Sequence, residues 1–209
     1  ALDRFVPEVV VRIGPLPTSK AVWRWLKRHP EVDQILFGQP DATRSATTVL
    51  TSVPTQAAAT LARSKPTPAP AGWRQQWNEL DTAAAGAIAL TLEGSPFPNE
   101  PTVAATIAAT IAPGSVLTVG SSMPIRDIDT FGGTSSRPVR VFGNRGTNGI
   151  DGIVSSALGT AAAGNPAVVL VGDVSMFHDL NALGTAAQLS LPITIIVVHN
   201  EGGGIFHFL

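Results

Sequence analysis

The stretch AVVLVGDVSMF (167–177) decides the fold class of this chain. Its first five residues, Ala167 to Val171, form a short, mainly β-branched apolar run, which is typical of a strand buried on both faces of a parallel sheet. A second such run, Ile193 to Val198, leads into HNEGGG (199–204). Because the Ala- and Leu-rich segment between the two runs is long enough for a crossover helix, the two strands are expected to be neighbours.

Oxygen-bearing side chains follow both of these strands. Asp173 and Asn200 stand 27 residues apart, and neighbouring parallel strands place their carboxyl ends about 4.8 Å apart at one edge of the sheet. Carboxylate and amide oxygens favour Mg²⁺ or Ca²⁺ over zinc, and a helix beginning after Asp173 would offer N–H groups to a phosphate. The pattern predicts a metal and diphosphate site at this edge. Taken alone, Gly172-Asp173 also fits a strand-end turn with a helix-capping aspartate.

The rest of the chain continues an α/β pattern, and we predict a doubly wound parallel sheet preceded by part of a second α/β domain. The further strands are predicted at Val9 to Ile13, Ser115 to Val119 and Val139 to Phe142. The helices are predicted at Ser19 to His29, Trp73 to Glu93, Thr102 to Ile111, Ile153 to Ala163 and Leu180 to Leu189. The segment SPFPNEP (95–101) is expected to be an irregular turn.

A proline-rich segment predicts the domain boundary. SKPTPAPA (64–71) cannot form a helix interior or a central strand, so it is expected to be an extended linker. Residues 1–63 contain too few predicted elements to close a doubly wound domain, so we expect them to be the C-terminal part of a central domain. Residues 72–209 are expected to form the diphosphate-binding domain.

Composition excludes several classes of function. The 209 residues are 44% hydrophobic and 14% charged, with a net charge of −1 and no cysteine. A disulfide framework or a thiolate metal site is therefore impossible, and neither nucleic acid nor a membrane is an expected partner. The first eleven residues contain no apolar stretch of the kind that a signal peptide requires. A cytoplasmic location is expected, together with missing partners that cover apolar surface.

Four segments carry a resemblance to a known family. GDVSMFHDLNAL (172–183) and VVHNEGGGIFHFL (197–209) resemble the metal and diphosphate motif of thiamine-diphosphate enzymes. GSSMPIRDID (120–129) and NRGTNGIDG (144–152) narrow the resemblance to the 2-succinyl-5-enolpyruvyl-6-hydroxy-3-cyclohexene-1-carboxylate synthase (MenD) family of menaquinone biosynthesis. IGPLPTSKAV (13–22) is similar to the central domain of the same family.

The resemblance implies a role for individual residues. The implied Mg²⁺ ligands are Asp173, Asn200 and the backbone carbonyl of Gly202. The resemblance also implies that Mn²⁺ can replace Mg²⁺. Those implied to contact thiamine diphosphate are Ser122, Ile150, Gly172, Asp173, Val174, Ser175, Asn200, Gly202 and Ile205, with Ile150 beneath the bent cofactor. Those implied to bind substrate are Lys20, Arg126, Arg145 and Phe206, with the two arginines orienting carboxylates. Val174 stands where the superfamily often has glycine. Each arginine, read alone, also fits an ion-pairing surface residue.

The implied activity is that of a transferase, a decarboxylating carboligase that takes 2-oxoglutarate and isochorismate as substrates. The resemblance further implies a homodimer or a dimer of dimers, with an activating glutamate from an N-terminal domain that these residues lack. The 209 residues alone are therefore expected to show no turnover. The alternatives are another thiamine-diphosphate decarboxylase or carboligase, and a non-catalytic module that binds a Mg-nucleotide.

Overall fold

The computed structural model of the protein describes residues 5–14, 18–38, 40–41, 43–51, 53–65, 67–133, 138–144, 146 and 149–208. The chain forms two compact units, Ala1–Thr82 and Ala83–Leu209, and each contains its own parallel sheet. The strands are β1 (Val9–Ile13), β2 (Asp33–Phe37), β3 (Thr48–Leu50), β4 (Val116–Val119), β5 (Arg140–Gly143), β6 (Ala167–Gly172) and β7 (Ile193–Val198). The helices are α1 (Lys20–Arg28), α2 (Pro54–Arg63), α3 (Trp73–Glu93), α4 (Glu100–Thr110), α5 (Met123–Phe131), α6 (Ile153–Ala162), α7 (Asp173–His178) and α8 (Asn181–Gln188). A 3₁₀ helix follows at Gly204–Phe208.

The first unit is a three-stranded sheet in the order β1-β2-β3. Helix α1 begins where the sequence predicts, because the Ser19 side chain accepts a hydrogen bond from the Ala21 N–H at 3.2 Å. Trp25 and Leu26 on α1 are buried, as is Leu36 on the central strand. Helix α2 was not predicted; it begins with Pro54, which suits a first helical position but lacks a side-chain cap before it.

The division between the two units lies inside α3. Trp73 and Trp77, at the start of that helix, pack with Phe5, with ring centroids 6.2 and 5.8 Å from it. This aromatic cluster accounts for the first part of α3 belonging to the first unit. The described residues between Ser64 and Ala71 form neither helix nor strand, and the predicted boundary at 64–71 stays a prediction.

The second unit is doubly wound, as predicted. Its strands are all parallel, in the order β5-β4-β6-β7. Side chains on β6 alternate between two buried clusters: Val169 and Val171 pack against α6, whereas Leu170 packs with Leu117 and with Ile107 of α4. Since a strand directs successive side chains to opposite faces, helices cover both faces of the sheet.

Most predicted elements are confirmed to within about two residues, and the difference at the start of one helix has a physical reason. Helix α4 begins at Glu100 rather than Thr102 because Asn99 and Thr102 form a capping box, with the Thr102 N–H 2.9 Å from Asn99 Oδ1. The last two residues of the predicted irregular turn, Glu100 and Pro101, therefore already belong to the helix. Helix α5 was not predicted, and the sequence did not place the short strands β2 and β3, although two or three strands were expected in residues 1–63. Within the described residues, no helix is both long and apolar enough to cross a membrane.

Candidate active site

The carboxyl ends of β6 and β7 bring the predicted ligand pair together. Gly172 and Val198 are paired in register, so Asp173 and Asn200 follow side by side. The backbone N–H of Asn200 donates to Asp173 Oδ2 at 3.2 Å, and the N–H of Gly202 donates to the same oxygen at 2.9 Å. This contact confirms that the two strands are neighbours and that their ends share one edge.

The conformation of the loop after β7 and its close approach to neighbouring side chains both favour glycine. Glu201, Gly202 and Gly203 have φ values of 62°, 79° and 70°, which is the left-handed region that favours glycine. A Cβ on Gly202 would lie 3.0 Å from Val174 Cγ2, and a Cβ on Gly204 would lie 2.6 Å from Asn200 Nδ2. The glycine run therefore lets the loop fold back over the start of α7.

Asp173 is held in its ionised form. Burial opposes ionisation, but hydrogen bonds from His199 and from the backbone N–H groups of Val174, Asn200 and Gly202 outweigh it and keep the pKa of Asp173 below its ordinary value. The His199 Nδ1 lies 2.7 Å from Asp173 Oδ2. The site thus presents a carboxylate that stays charged at neutral pH.

Next to this pair lies a cleft of about 480 Å³. Its described lining residues include most of the predicted cofactor and substrate residues: Ser122, Arg126, Ile150, Val174, Ser175, Ile205 and Phe206. A smaller cavity of about 50 Å³ adjoins it and is lined by Glu100, Gly172, Asp173 and Asn200, among others. The two cavities share Ser122, Val174, Ser175, Gly203 and Ile205.

A larger cavity of about 580 Å³ lies at the opposite end of the same strands, beside Ala167 and Ile193. The described residues that line it carry no titratable side chain. We therefore place the chemistry at the carboxyl ends of the strands, where ligands of open parallel sheets bind.

Ser122 has a strained backbone at the mouth of the cleft. Its φ of 73° and ψ of −132° lie in a region that side-chain-bearing residues rarely occupy. The guanidinium of Arg126, one turn along α5, donates to the Ser122 carbonyl. The contact fixes the start of α5 and directs the Arg126 side chain along the wall of the cleft.

The loop between β5 and α6 is fastened at its first residue, Asn144. Asn144 Nδ2 donates to Ser156 Oγ at 2.8 Å, and Ser121 Oγ donates to the Asn144 carbonyl at 2.8 Å. Ile150 and Gly149 in this loop line the cleft. Arg145 lies outside the described residues, so its predicted role stays a prediction.

Comparison with known proteins agrees with this geometry. Residues 133–208 match the family described as "Thiamine pyrophosphate enzyme, C-terminal TPP binding domain". A 2-succinyl-5-enolpyruvyl-6-hydroxy-3-cyclohexene-1-carboxylate synthase from Geobacillus kaustophilus is 42% identical over 213 residues, covering 100% of this chain and 37% of that protein. The synthase of the same name from Myxococcus xanthus is 41% identical over 211 residues, covering 97% of this chain and 35% of that protein.

Over 97–100% of its length, this chain is similar to the MenD synthases.

The chain spans about 37% of the length of the MenD relative from Geobacillus kaustophilus. Among solved structures, a protein from Mycobacterium smegmatis described as thiamin diphosphate-dependent superimposes with a TM-score of 0.56 at 19% identity. That comparison covers 92% of this chain and 38% of the other. It supports the fold, and the sequence relatives support the family.

The donor set at the Asp173–Asn200 pair fits a hard divalent cation. Asp173 supplies a carboxylate, Asn200 an amide oxygen and Gly202 a backbone carbonyl, and such oxygen donors suit Mg²⁺. Asp173 Oδ2 and Asn200 Oδ1 both accept from the Gly202 N–H, at 2.9 and 3.2 Å, so the two oxygens lie close together. Among the described residues, no three His, Cys, Asp or Glu side chains cluster as metal ligands.

Lys20 differs from the other predicted MenD substrate residues in its place in the fold. It is the first residue of α1, in the first unit, and it is exposed. The predicted residues that meet at the cleft all belong to the second unit. The assignment of Lys20 to the substrate stays a prediction.

Sequence reasoning missed three residues near the site. His199, whose ring nitrogen Nδ1 lies 2.7 Å from Asp173 Oδ2, was not singled out from the sequence. Its place directly after β7 was the available signal. Glu100 accepts a hydrogen bond from the Asn200 amide, but the two residues are 100 positions apart, and no local pattern links them. The third residue is Asp127, which is only 5% exposed. Its burial and, to a smaller extent, the negative charge of Glu100 raise the pKa of Asp127 to about 7, and the positive charge of Arg126 partly offsets this increase.

Proposed function

We propose that this protein is a decarboxylating carboligase that removes CO₂ from 2-oxoglutarate and adds the resulting four-carbon succinyl unit to isochorismate. The product is 2-succinyl-5-enolpyruvyl-6-hydroxy-3-cyclohexene-1-carboxylate, the compound in the name of its relatives. One observation carries the proposal: the 480 Å³ cleft opens beside the Asp173–Asn200 pair, and Arg126 lines it. The cleft thus lies beside the oxygen donors of Asp173 and Asn200 and is lined by the positively charged guanidinium of Arg126. A guanidinium is suited to binding a carboxylate substrate.

Thiamine diphosphate is the proposed cofactor, with Mg²⁺ as its metal and Mn²⁺ as a substitute. When bound, the cofactor supplies the electron sink that lets a 2-oxo acid lose CO₂. Asp173, Asn200 and the Gly202 carbonyl would hold the metal. Gly172, Val174 and the buried Ser175 border the smaller cavity and would hold the diphosphate next to it.

Residues that line the cleft, together with two further residues predicted from the sequence, would bind and orient the organic groups. Ile150 offers apolar support from the fastened loop between β5 and α6, and Ser122 and Ile205 line the wall shared by both cavities. Arg126 would orient a substrate carboxylate, because a guanidinium forms paired hydrogen bonds with a carboxylate. Arg145 and Lys20 are proposed for the other carboxylates, and Phe206 for an apolar contact.

The assembly is proposed to be a homodimer or a dimer of dimers in the cytoplasm. In that assembly an N-terminal domain would supply the glutamate that activates the cofactor. The 209 residues alone would then show no turnover. A rate comparable with that of a full-length synthase from these residues alone would contradict this part of the proposal.

Calorimetry of the full-length protein tests the cofactor assignment. We expect thiamine diphosphate to bind in the presence of Mg²⁺ and a Mg-nucleotide not to bind, with Asp173→Ala abolishing the Mg²⁺-dependent affinity. Asp129→Ala, which changes an exposed carboxylate on α5, is the control. Nucleotide binding without thiamine diphosphate binding would favour a non-catalytic module.

Turnover with paired substrates tests the reaction. We expect 2-oxoglutarate to be consumed with isochorismate as acceptor, faster than pyruvate under the same conditions. A preference for pyruvate would assign the protein to another thiamine-diphosphate decarboxylase or carboligase.

A further inference from the structure

Glu100 is a carboxylate from a distant part of the chain that reaches the Asp173–Asn200 pair. It is the first residue of α4, and the Asn99–Thr102 capping box just before and after it fixes the start of that helix. Its Oε1 accepts a hydrogen bond from Asn200 Nδ2, across 100 positions of sequence. It also borders the smaller cavity together with Asp173.

The two ends of the Asn200 amide have partners of opposite kinds. A carboxylate only accepts hydrogen bonds and a backbone N–H only donates them, so Nδ2 must face Glu100 and Oδ1 must face the Gly202 N–H, 3.2 Å away. If the amide were rotated by 180°, its oxygen would face the Glu100 carboxylate and its NH₂ group would face the Gly202 N–H, and neither pair can form a hydrogen bond. The hydrogen-bond partners therefore assign a single orientation.

That orientation decides whether Asn200 can bind a cation. The amide oxygen is a ligand for Mg²⁺ and the NH₂ group is not. Asn200 is exposed, and the terminal torsion of an asparagine is broad and roughly two-fold, so the side chain by itself does not select the useful orientation. The Gly202 N–H contributes one contact, and Glu100 contributes the charged one, which is the stronger kind.

We propose that Glu100 is a positioning residue that turns the Asn200 amide so that Oδ1 is presented to the divalent cation beside Asp173. The inference rests on the proposed function, in which Asn200 is a metal ligand. It makes α4 a third element that builds the metal site, after the ends of β6 and β7.

Variants of Glu100 in the full-length protein test the inference. Glu100→Ala removes the acceptor, whereas Glu100→Gln keeps an amide oxygen that can accept from Asn200 Nδ2. Glu93→Ala makes the same chemical change at an exposed position at the end of α3 and serves as control. For each protein, the Mg²⁺ concentration for half-maximal thiamine diphosphate binding is measured by calorimetry, and the melting temperature is measured without metal or cofactor.

The expected result is graded. Removing an outer partner of a metal ligand typically costs 10- to 100-fold in metal affinity, so Glu100→Ala should raise the Mg²⁺ requirement by about that factor. Glu100→Gln should raise it clearly less, and Glu93→Ala should leave it at the wild-type value. The metal-free melting temperature should change little in any of them, since Glu100 is only partly buried.

Three results would overturn the inference while leaving the proposed function intact. The first is a Mg²⁺ requirement in Glu100→Ala equal to that of Glu93→Ala. The second is a loss in Glu100→Gln as large as in Glu100→Ala, which would make the carboxylate itself a ligand. The third is a loss of affinity that follows a large fall in the metal-free melting temperature. If the wild-type protein binds no thiamine diphosphate with Mg²⁺, the proposed function itself fails.

Discussion

Ser155 donates two hydrogen bonds to the carboxylate of Asp179, from its backbone N–H at 2.7 Å and from its hydroxyl at 2.8 Å. Ser155 is in the first turn of α6, where backbone N–H groups lack partners within the helix. Asp179, which directly follows α7, is buried. A carboxylate 24 residues further along the chain thus caps α6 and ties it to the segment that begins at Asp173.

Replacing Asp179 should destabilise the second unit. Asp179→Ala leaves the Ser155 N–H and hydroxyl without their charged acceptor, and we expect a loss of about 2 kcal/mol in the free energy of unfolding, since hydrogen bonds to charged groups are worth about 1.5–3 kcal/mol. Urea unfolding followed by far-UV circular dichroism measures it. Asp129→Ala, on the exposed face of α5, is the control; equal effects in the two variants would contradict the capping role.

The stability of the second unit should fall as pH rises from about 4 to 7. The pKa of Asp127 is raised from 3.8 to about 7 in the folded state, so the folded state holds its proton more tightly than the unfolded chain does. The stabilisation is complete below pH 3.8 and is lost as pH rises through about 7.

Asp127→Asn provides the test, because it removes the ionisation. We expect it to flatten this part of the pH profile and to exceed the wild type in stability at pH 8 by up to about 4 kcal/mol, because the pKa is raised from 3.8 to about 7 and each pKa unit corresponds to about 1.4 kcal/mol. Urea unfolding at pH 5 and pH 8 measures both effects. Parallel profiles for the two proteins would count against the raised pKa.

The first unit should depend on pH in the opposite direction. Burial disfavours the Asp41 carboxylate, but hydrogen bonds from the Thr43 hydroxyl, the Ala46 N–H and Arg12 outweigh it and hold the pKa of Asp41 below its ordinary value of 3.8. Arg12 Nη2 lies 3.0 Å from Asp41 Oδ1, and both side chains are buried. The stabilisation is therefore present above pH 3.8 and is lost as pH falls below it.

Asp41→Asn should lower the stability at pH 7 by about 3 kcal/mol, since it leaves the buried Arg12 without its counter-charge. It should also remove most of the loss at low pH. The four tryptophans of the chain, Trp23, Trp25, Trp73 and Trp77, all lie in the first unit, so their fluorescence during unfolding reports this change. An unaltered acid limb would contradict the prediction.

Gly202→Ala should cost more than a left-handed backbone alone can explain. Its Cβ would lie 3.0 Å from Val174 Cγ2 at a φ of 79°, whereas Gly133 has a φ of 63° with nothing within 4 Å of its Cβ position. Gly133→Ala therefore measures the backbone penalty, about 1 kcal/mol. We expect Gly202→Ala to lose more unfolding free energy than Gly133→Ala, and Val174→Ala in the same chain to recover part of the difference. Equal losses in Gly202→Ala and Gly133→Ala would contradict the prediction, because they would show that the Val174 side chain moves aside without a measurable cost.

The core of the second unit and the placement of its ligand pair could be predicted from sequence. The apolar runs of β6 and β7 are short and uninterrupted, and their spacing leaves room for a single crossover, so Asp173 and Asn200 had to lie together. The bounds of β1, β7 and α3 agree with the structure, because each has clear turn residues or prolines beside it.

The features that could not be predicted depend on tertiary contacts, which produce no local pattern in the sequence. Helix α5 is preceded by Ser122, which has a positive φ, and has Pro124 in its first turn, so its start resembles a loop in sequence. The Glu100–Asn200 hydrogen bond joins residues 100 positions apart. The raised pKa of Asp127 arises from burial between elements, which no spacing of residues predicts.

The backbone of Ser122 has a consequence for how this protein would respond to selection for heat resistance. A side-chain-bearing residue at a φ of 73° and ψ of −132° costs of order 1–3 kcal/mol, and glycine would relieve much of that. Ser122→Gly should therefore be enriched in a screen that rewards only thermal tolerance. The same change would remove the hydroxyl from the wall shared by the two cavities. Laboratory evolution for thermal tolerance alone would thus favour a substitution at Ser122 that alters the wall of both cavities.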